Sequence, residues 1–192
     1  MKNILIALRV FIVMSVILGL VYPLTITGIA QLIFPAQANG SLIVKDGEVV
    51  GSKLIGQSFT SERYFYGRPS AIDYDASNSA ASNYGPTNQK LLDQIKERAS
   101  AIRTKEHLLH KSDAAGKIPA DLLTAAASGL DPHISLRSAL LQVPRVSKAR
   151  KVSQDRIENI IERNKEYRIS GMQNRPYINV LKVNLELDGI IP

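Results

Sequence analysis

The chain has 192 residues, 45% of them hydrophobic, and a formal charge of +7, which suits one domain of ordinary size plus an additional element. It has no cysteine, which excludes disulfides, thiolate metal sites and cysteine nucleophiles. Acids and bases are interleaved, as in Asp155-Arg156-Ile157-Glu158, whereas a nucleic-acid binder concentrates its bases in a stripe, so no nucleic-acid partner is expected.

Residues 1–9 carry Lys2 and Arg9, and residues 10–34 carry no charge. The uncharged run predicts a helix of about 37 Å, against a hydrocarbon core of about 30 Å. Backbone groups in lipid must pair within the segment, so a lone span is helical. Ala36-Gln37-Ala38 resembles a signal-peptidase site, but signal-peptide apolar cores run to only about 7–15 residues, so an uncleaved anchor is the preferred reading. The positive-inside rule then predicts a short cytoplasmic N-terminus at 1–9, a span at 10–34 and an extracytoplasmic domain at 35–192. Pro23 should kink or locally break the helix. Thr25, Thr27, Gly28 and Gln31 lie on the outer half of the span. Together with Pro23 they are read as the face that packs on a partner helix, because small and hydroxyl residues permit close approach and interhelical hydrogen bonds. Gln31 needs a partner or a place at the interface, since an unpaired amide is costly in lipid.

Beyond the anchor the pattern predicts an α/β domain, with a hairpin, a C-terminal strand and several helices. Asp46-Gly47 between two apolar runs marks a two-residue hairpin turn. Residues 73–86 hold no aliphatic side chain larger than alanine and form a loop. Thr87 is expected to cap a helix to about Lys105, with Leu91, Leu92, Ile95, Ala99 and Ile102 on one face. A short helix is expected from Ile118 to about Ala127. Asp131 and Pro132 are expected to cap and open the next helix, which Pro144 interrupts. Ser153 caps another, with Ile157, Ile160 and Ile161 on one face. In the last run Leu181, Val183, Leu185 and Leu187 alternate with Lys182, Asn184 and Glu186, the pattern of a half-buried strand.

Two groups invite a chemical reading. Ser128, Asp131 and His133 contain the residue types of a hydrolase triad, and a membrane-anchored extracytoplasmic hydrolase is the alternative function. No G-x-S-x-G elbow accompanies them, and Asp131 already has a role at a helix start. His107 and His110 stand three apart beside Glu106, but no H-E-x-x-H pattern is present and a solvated helix end is expected. Neither a P-loop nor a G-x-G-x-x-G turn occurs, so a standard phosphate loop is unsupported.

Several motifs occur together in order: Tyr22-Pro23-Leu24-Thr25-Ile26-Thr27-Gly28, Gly56-Gln57-Ser58-Phe59, Tyr64-Phe65-Tyr66-Gly67-Arg68-Pro69-Ser70, Ser82-Asn83-Tyr84-Gly85-Pro86-Thr87-Asn88 and Ser128-Gly129-Leu130-Asp131-Pro132-His133-Ile134-Ser135. With Gln142, Arg145, Val146, Ala149 and Arg150, and a C-terminal run from Asn179, they span essentially the whole chain. In this the sequence resembles the KdpC subunit family of Kdp potassium-transporting P-type ATPases. The resemblance implies a non-catalytic accessory subunit without its own active site. Its implied partners are a channel-like potassium subunit, a P-type ATPase subunit and membrane lipid. It also implies no firmly bound cofactor, and ATP only in complex with the ATPase subunit, whose ATP affinity the family is described as raising. Ser82, Asn83, Gly85, Thr87, Asn88, Ser128, Gly129, Asp131, His133 and Gln142 are the implied candidates for partner or nucleotide contact. Direct ATP contact conflicts with a domain outside the cell, where ATP is absent.

Overall fold

A computed structural model describes residues 2–108, 118–167 and 175–190. The chain forms two compact units, residues 1–42 and 43–192. His110 lies outside the described residues.

The first unit is a helix long and apolar enough to cross a membrane, Lys2–Ile33, of 32 residues. It begins before the uncharged run, so Lys2 and Arg9 are themselves helical. Helix α1 is Lys2–Val16 and α2 is Tyr22–Ile33. Between them Ile17–Val21 form a π-turn, closed by Tyr22 N–H donating to Ile17 O. Pro23 explains the turn: its ring displaces the carbonyl four residues back and it has no N–H to offer, so the ladder widens one turn earlier. After Phe34 a single turn, α3, covers Pro35–Ala38. Asn39 Nδ2 donates to Gln31 Oε1 at 3.0 Å and to Pro35 O at 2.7 Å. The Gln31 amide therefore finds its partner within its own chain.

The expected hairpin forms from β1 (Leu42–Lys45) and β2 (Glu48–Ser52), all but Leu42 within the second unit. Asp46 and Gly47 both have positive φ, 52° and 85°, as a type I′ turn requires. No helix or strand interrupts 73–86. Helix α4 is Gln89–Lys105, capped by Asn88 rather than Thr87. Only one turn of the next expected helix forms, α5 at Ala120–Leu123.

Asp131-Pro132 does not open a helix. The local bond expected of a cap is made, with His133 N–H donating to Asp131 Oδ1 at 3.0 Å. The chain then extends as β3, His133–Ser135, because it pairs antiparallel with β5, Tyr177–Asn179. Helix α6 starts later, at Leu136, and is capped by Ser135. Asp121 reinforces that start by accepting from Ser135 N–H and Ser138 Oγ, each at 2.7 Å. Helix α6 runs unbroken through Pro144 to Arg150. Pro144 and Leu140, one turn apart, are both exposed, so the carbonyl that the proline frees faces water and the helix survives. Helix α7, Gln154–Arg163, has the expected Ser153 cap and buries Ile157, Ile160 and Ile161. Strand β4, Lys165–Glu166, completes a three-stranded antiparallel sheet in the order β3-β5-β4.

The C-terminal strand is β5, and the alternating run beyond it is a helix, α8, Val180–Leu187. Alternation misleads here because two faces of α8 are buried. Val180, Val183 and Leu187 pack into the main core with Ile134, Val143, Val146, Ile157 and Ile178. Leu181 and Leu185 pack against Ile43 in a smaller cluster beneath the hairpin. Asn184, expected to face solvent, is 1% exposed.

Candidate functional site

The segment 128–133 ties together three stretches distant in sequence. Ser70 Oγ donates to Gly129 O at 2.8 Å, and Ser79 Oγ donates to Ser128 O at 3.2 Å. Gly56 N–H donates to Leu130 O at 2.8 Å. Gly129 has φ of 71°, and a Cβ there would lie 2.5 Å from Ile72 Cγ1, so both the turn and the contact demand glycine. Arg68 Nη1 donates to Asp131 Oδ2 at 3.1 Å. Asp131, Gly129, Ser128 and His133 thus form one half-buried hub.

The hub does not have the geometry of a Ser-His-Asp triad. His133 Nδ1 lies 3.5 Å from Asp131 Oδ1 and its Nε2 lies 3.8 Å from Glu166 Oε2. Both ring nitrogens therefore face carboxylates, leaving none to activate a serine. Ser128 Oγ accepts from Leu130 N–H in a local turn. The His133 ring packs edge-on against Tyr177, with centroids 4.7 Å apart. Among the described residues no group of His, Asp and Glu could hold a metal ion.

Burial opposes ionisation of Asp131, but the bonds from His133 and Arg68 outweigh it and hold the carboxyl below its ordinary range. A depressed carboxyl contributes stability above its unfolded value of about 3.9 and loses it as pH falls through the lower folded value. Thermal unfolding followed from pH 6 to pH 3 is expected to show the wild-type midpoint falling at the acid end. Asp131→Asn should start lower at pH 6 and fall less. Parallel curves would mean that Asp131 carries none of this dependence.

The other expected residues lie apart from the hub. Asn83, Gly85, Thr87 and Asn88 are exposed and Ser82 is half-buried. Asn83 holds a left-handed φ of 54°. Asn88 is committed to capping α4, accepting from Lys90 N–H at 2.9 Å. Gln142 is buried in a separate network along one face of α6. Its Oε1 accepts from Tyr66 N–H at 2.8 Å, and its Nε2 donates to Tyr66 O at 3.2 Å, so it serves the segment 62–66 as a strand partner would. In the anchor, Thr25, Thr27 and Gly28 are exposed, and a Cβ on Gly28 would meet nothing within 4 Å.

Arg145 and Glu106, which sequence reasoning did not pair, sit at the centre of the α6 network. Arg145 Nε donates to Glu106 Oε1 at 2.8 Å, with each side chain 3% exposed. Arg145 also donates to Glu62 O at 2.5 Å, Tyr64 O at 3.0 Å and Gln142 Oε1 at 2.8 Å. Its guanidinium lies 4.0 Å from the Tyr66 ring centroid. Burial pushes the Glu106 carboxyl above its usual range, and Arg145 offsets this only in part. The available signal was a pair of charges, one at the end of α4 and one amid the apolar positions of α6.

Comparison with known proteins agrees with this architecture. The family model for KdpC, the K+-transporting ATPase c chain, matches residues 4–189. The potassium-transporting ATPase KdpC subunit of Koribacter versatilis is 45% identical over 194 residues, covering 100% of this chain and 96% of its own. That of Acidobacterium capsulatum is 48% identical over 179 residues, covering 92% of each. That of Mycobacterium bovis is 46% identical over 191 residues, covering 98% of this chain and 99% of its own. A match running from the anchor to the C-terminal helix, with relatives 45–48% identical over nearly their whole length, places the chain in the KdpC family of K+-transporting ATPase c chains.

Proposed function

We propose that the chain is the non-catalytic accessory subunit of an ATP-driven potassium uptake pump, assembled with a channel-like potassium subunit and a P-type ATPase subunit. The observation that carries this reading is family membership from residue 4 to residue 189. The helix of the first unit supplies the membrane attachment, and the outer half of α2 supplies the packing face. Thr25, Thr27 and Gly28 serve that face. Gln31, bonded to Asn39, orders the end of the anchor.

The domain lies outside the cell and braces the channel-like subunit through the exposed loop at 82–88 and the hub at 128–133. Two features support that assignment. The loop exposes the short polar side chains of Asn83 and Thr87, and the hub is bonded from three sides. A rigid scaffold carrying polar loops is the usual form of a binding surface. On this topology any effect on ATP affinity is indirect, transmitted through the partners.

Sidedness is tested by a single cysteine at Ser77 and a membrane-impermeant maleimide. Labelling of intact cells is expected. Protection until lysis would place the domain inside and overturn the topology. Gly28→Leu adds a large side chain where no intrachain contact constrains it, so it should leave the fold unchanged and weaken co-purification of the other subunits by about tenfold or more. Unchanged co-purification would remove α2 as a packing face.

A further inference from the structure

The π-turn between α1 and α2 leaves a backbone acceptor without a donor. In an α-helical ladder Leu18 O would accept from Tyr22 N–H, and in a π ladder from the amide of residue 23. Tyr22 N–H donates to Ile17 O, and residue 23 is a proline, which has no N–H. Neither register therefore serves Leu18 O. Gly19 O loses its α-helical donor to the same proline. The turn itself, Ile17–Val21, has no polar side chain to take their place.

The acceptor lies deep in the span. Leu18 is next to the midpoint of the 32-residue helix Lys2–Ile33. It stands four residues, about 6 Å, from the middle of the uncharged run 10–34, well inside a hydrocarbon half-thickness of about 15 Å. A backbone group left unpaired there is costly, and irregular backbone at that depth is tolerated only where protein or a water-filled cavity covers it. Leu18, Gly19 and Tyr22 are all exposed on this chain, and a Cβ on Gly19 would meet nothing within 4 Å. Cover for the carbonyl must come from another chain.

The chemistry of the missing donor follows from what lipid tolerates. A cation at this depth is expensive. A side-chain amide brings two donors and an acceptor to a place that offers one acceptor, whereas a hydroxyl brings a single O–H. Glycine beside the carbonyl lets a second backbone come close, as small residues do at membrane helix interfaces. Gly19 lies one turn before Pro23, and Pro23 and Thr27 lie one turn apart in α2, so the acceptor continues the packing stripe of α2.

We propose that the Leu18 carbonyl is a docking point of the anchor, accepting an interhelical hydrogen bond from a serine or threonine hydroxyl on a transmembrane helix of a partner subunit. This rests on the assembly proposed above and adds the chemistry by which the partner helix is recognised. Pro23 then does more than bend the helix: by withholding an N–H it creates the acceptor, and Gly19 gives access to it.

Leu18-Gly19 is the one Leu-Gly pair in the sequence, so leucine labelled at its carbonyl carbon and glycine labelled at nitrogen single out this carbonyl in solid-state NMR. In the full chain alone, dilute in lipid nanodiscs, its resonance should lie upfield, where an unbonded carbonyl lies. Pro23→Ala returns the donor and should move it downfield. Assembly with unlabelled partner subunits should move the wild-type resonance downfield as well. Replacing serines and threonines at this depth in the partner helices by alanine and valine, one at a time, should at one position return it upfield. Pro23→Ala and Gly19→Leu should each weaken retention of the partners on purification about tenfold, the size of one interhelical hydrogen bond. A resonance already downfield in the dilute chain, one moved downfield by concentrating the chain alone, or one indifferent to every hydroxyl replacement would each overturn the proposal. Subunits that do not assemble with the chain would remove the assembly and this inference together, whereas assembly without movement of the resonance would remove this inference alone. The wild-type resonance decides the matter even where a variant fails to fold.

Discussion

Arg145→Met should lower the stability of the extramembrane domain by roughly 3–5 kcal/mol, the cost of leaving one member of a buried ion pair uncompensated. The side chain volume is nearly kept, so the loss is electrostatic. Glu106 would remain 3% exposed at its side chain with neither oxygen bonded to a cation. Glu62 O and Tyr64 O would lose the guanidinium that now bridges them. Glu106→Gln in the same chain should recover a large part of the loss, since an amide is far cheaper to bury than an orphaned carboxylate. Urea unfolding of the full chain in nanodiscs, read by tyrosine fluorescence, measures both. A single-variant cost below about 1 kcal/mol would mean that water reaches the pair and that the clamp on 62–66 is not held by charge.

Asn184→Leu should cost roughly 2–4 kcal/mol, although leucine is the more apolar residue and fills similar space. Asn184 Oδ1 accepts from Phe65 N–H at 2.8 Å and its Nδ2 donates to Phe65 O at 3.0 Å. Phe65 is 1% exposed and belongs to no strand, so the asparagine amide stands in for a neighbouring backbone. Removing it strands a buried donor and a buried acceptor, each worth about 1–3 kcal/mol. Hydrogen exchange at the Phe65 amide should accelerate more than exchange in α7, whose backbone bonds the change does not remove. Exchange raised equally in both would assign the loss to general core disruption.

Gln142 and Asn184 solve the same physical problem from two helices. The chain from Glu62 to Tyr66 crosses the core edge as irregular backbone, and buried peptide groups must be paired. Gln142 serves Tyr66, Asn184 serves Phe65, and Arg145 takes the carbonyls of Glu62 and Tyr64. Arg150 continues the line by donating to Arg63 O at 2.7 Å. Polar side chains here replace a missing strand, which holds the segment 62–66 in place and sets Tyr66 beneath Arg145.

Local chemistry alone specifies much of this fold. The apolar run, the lone proline within it and the flanking charges specify an anchor with an irregular turn, because lipid leaves the backbone no partner but itself. Asp46-Gly47 specifies the hairpin through the positive φ that the turn requires. Ser153 and the isoleucine spacing specify α7, and the small polar residues at 73–86 specify a loop because they cannot bury enough surface to order themselves. The ordered motifs specify the family. What the sequence could not decide are the places where distant segments compete with local preference. Asp131-Pro132 forms its capping bond yet enters a strand, because Tyr177–Asn179 pairs with the next three residues. The alternating C-terminal run is helical because the hairpin and the main core press on it from two sides, burying both of its apolar stripes. Pro144 is tolerated because its face of α6 meets water. The Arg145–Glu106 pair exists only once the residue that ends α4 comes against α6 beside the segment 62–66. The physical reason is common to all four: the outcome depends on what lies on the far side of a side chain, and only the tertiary fold supplies that neighbour.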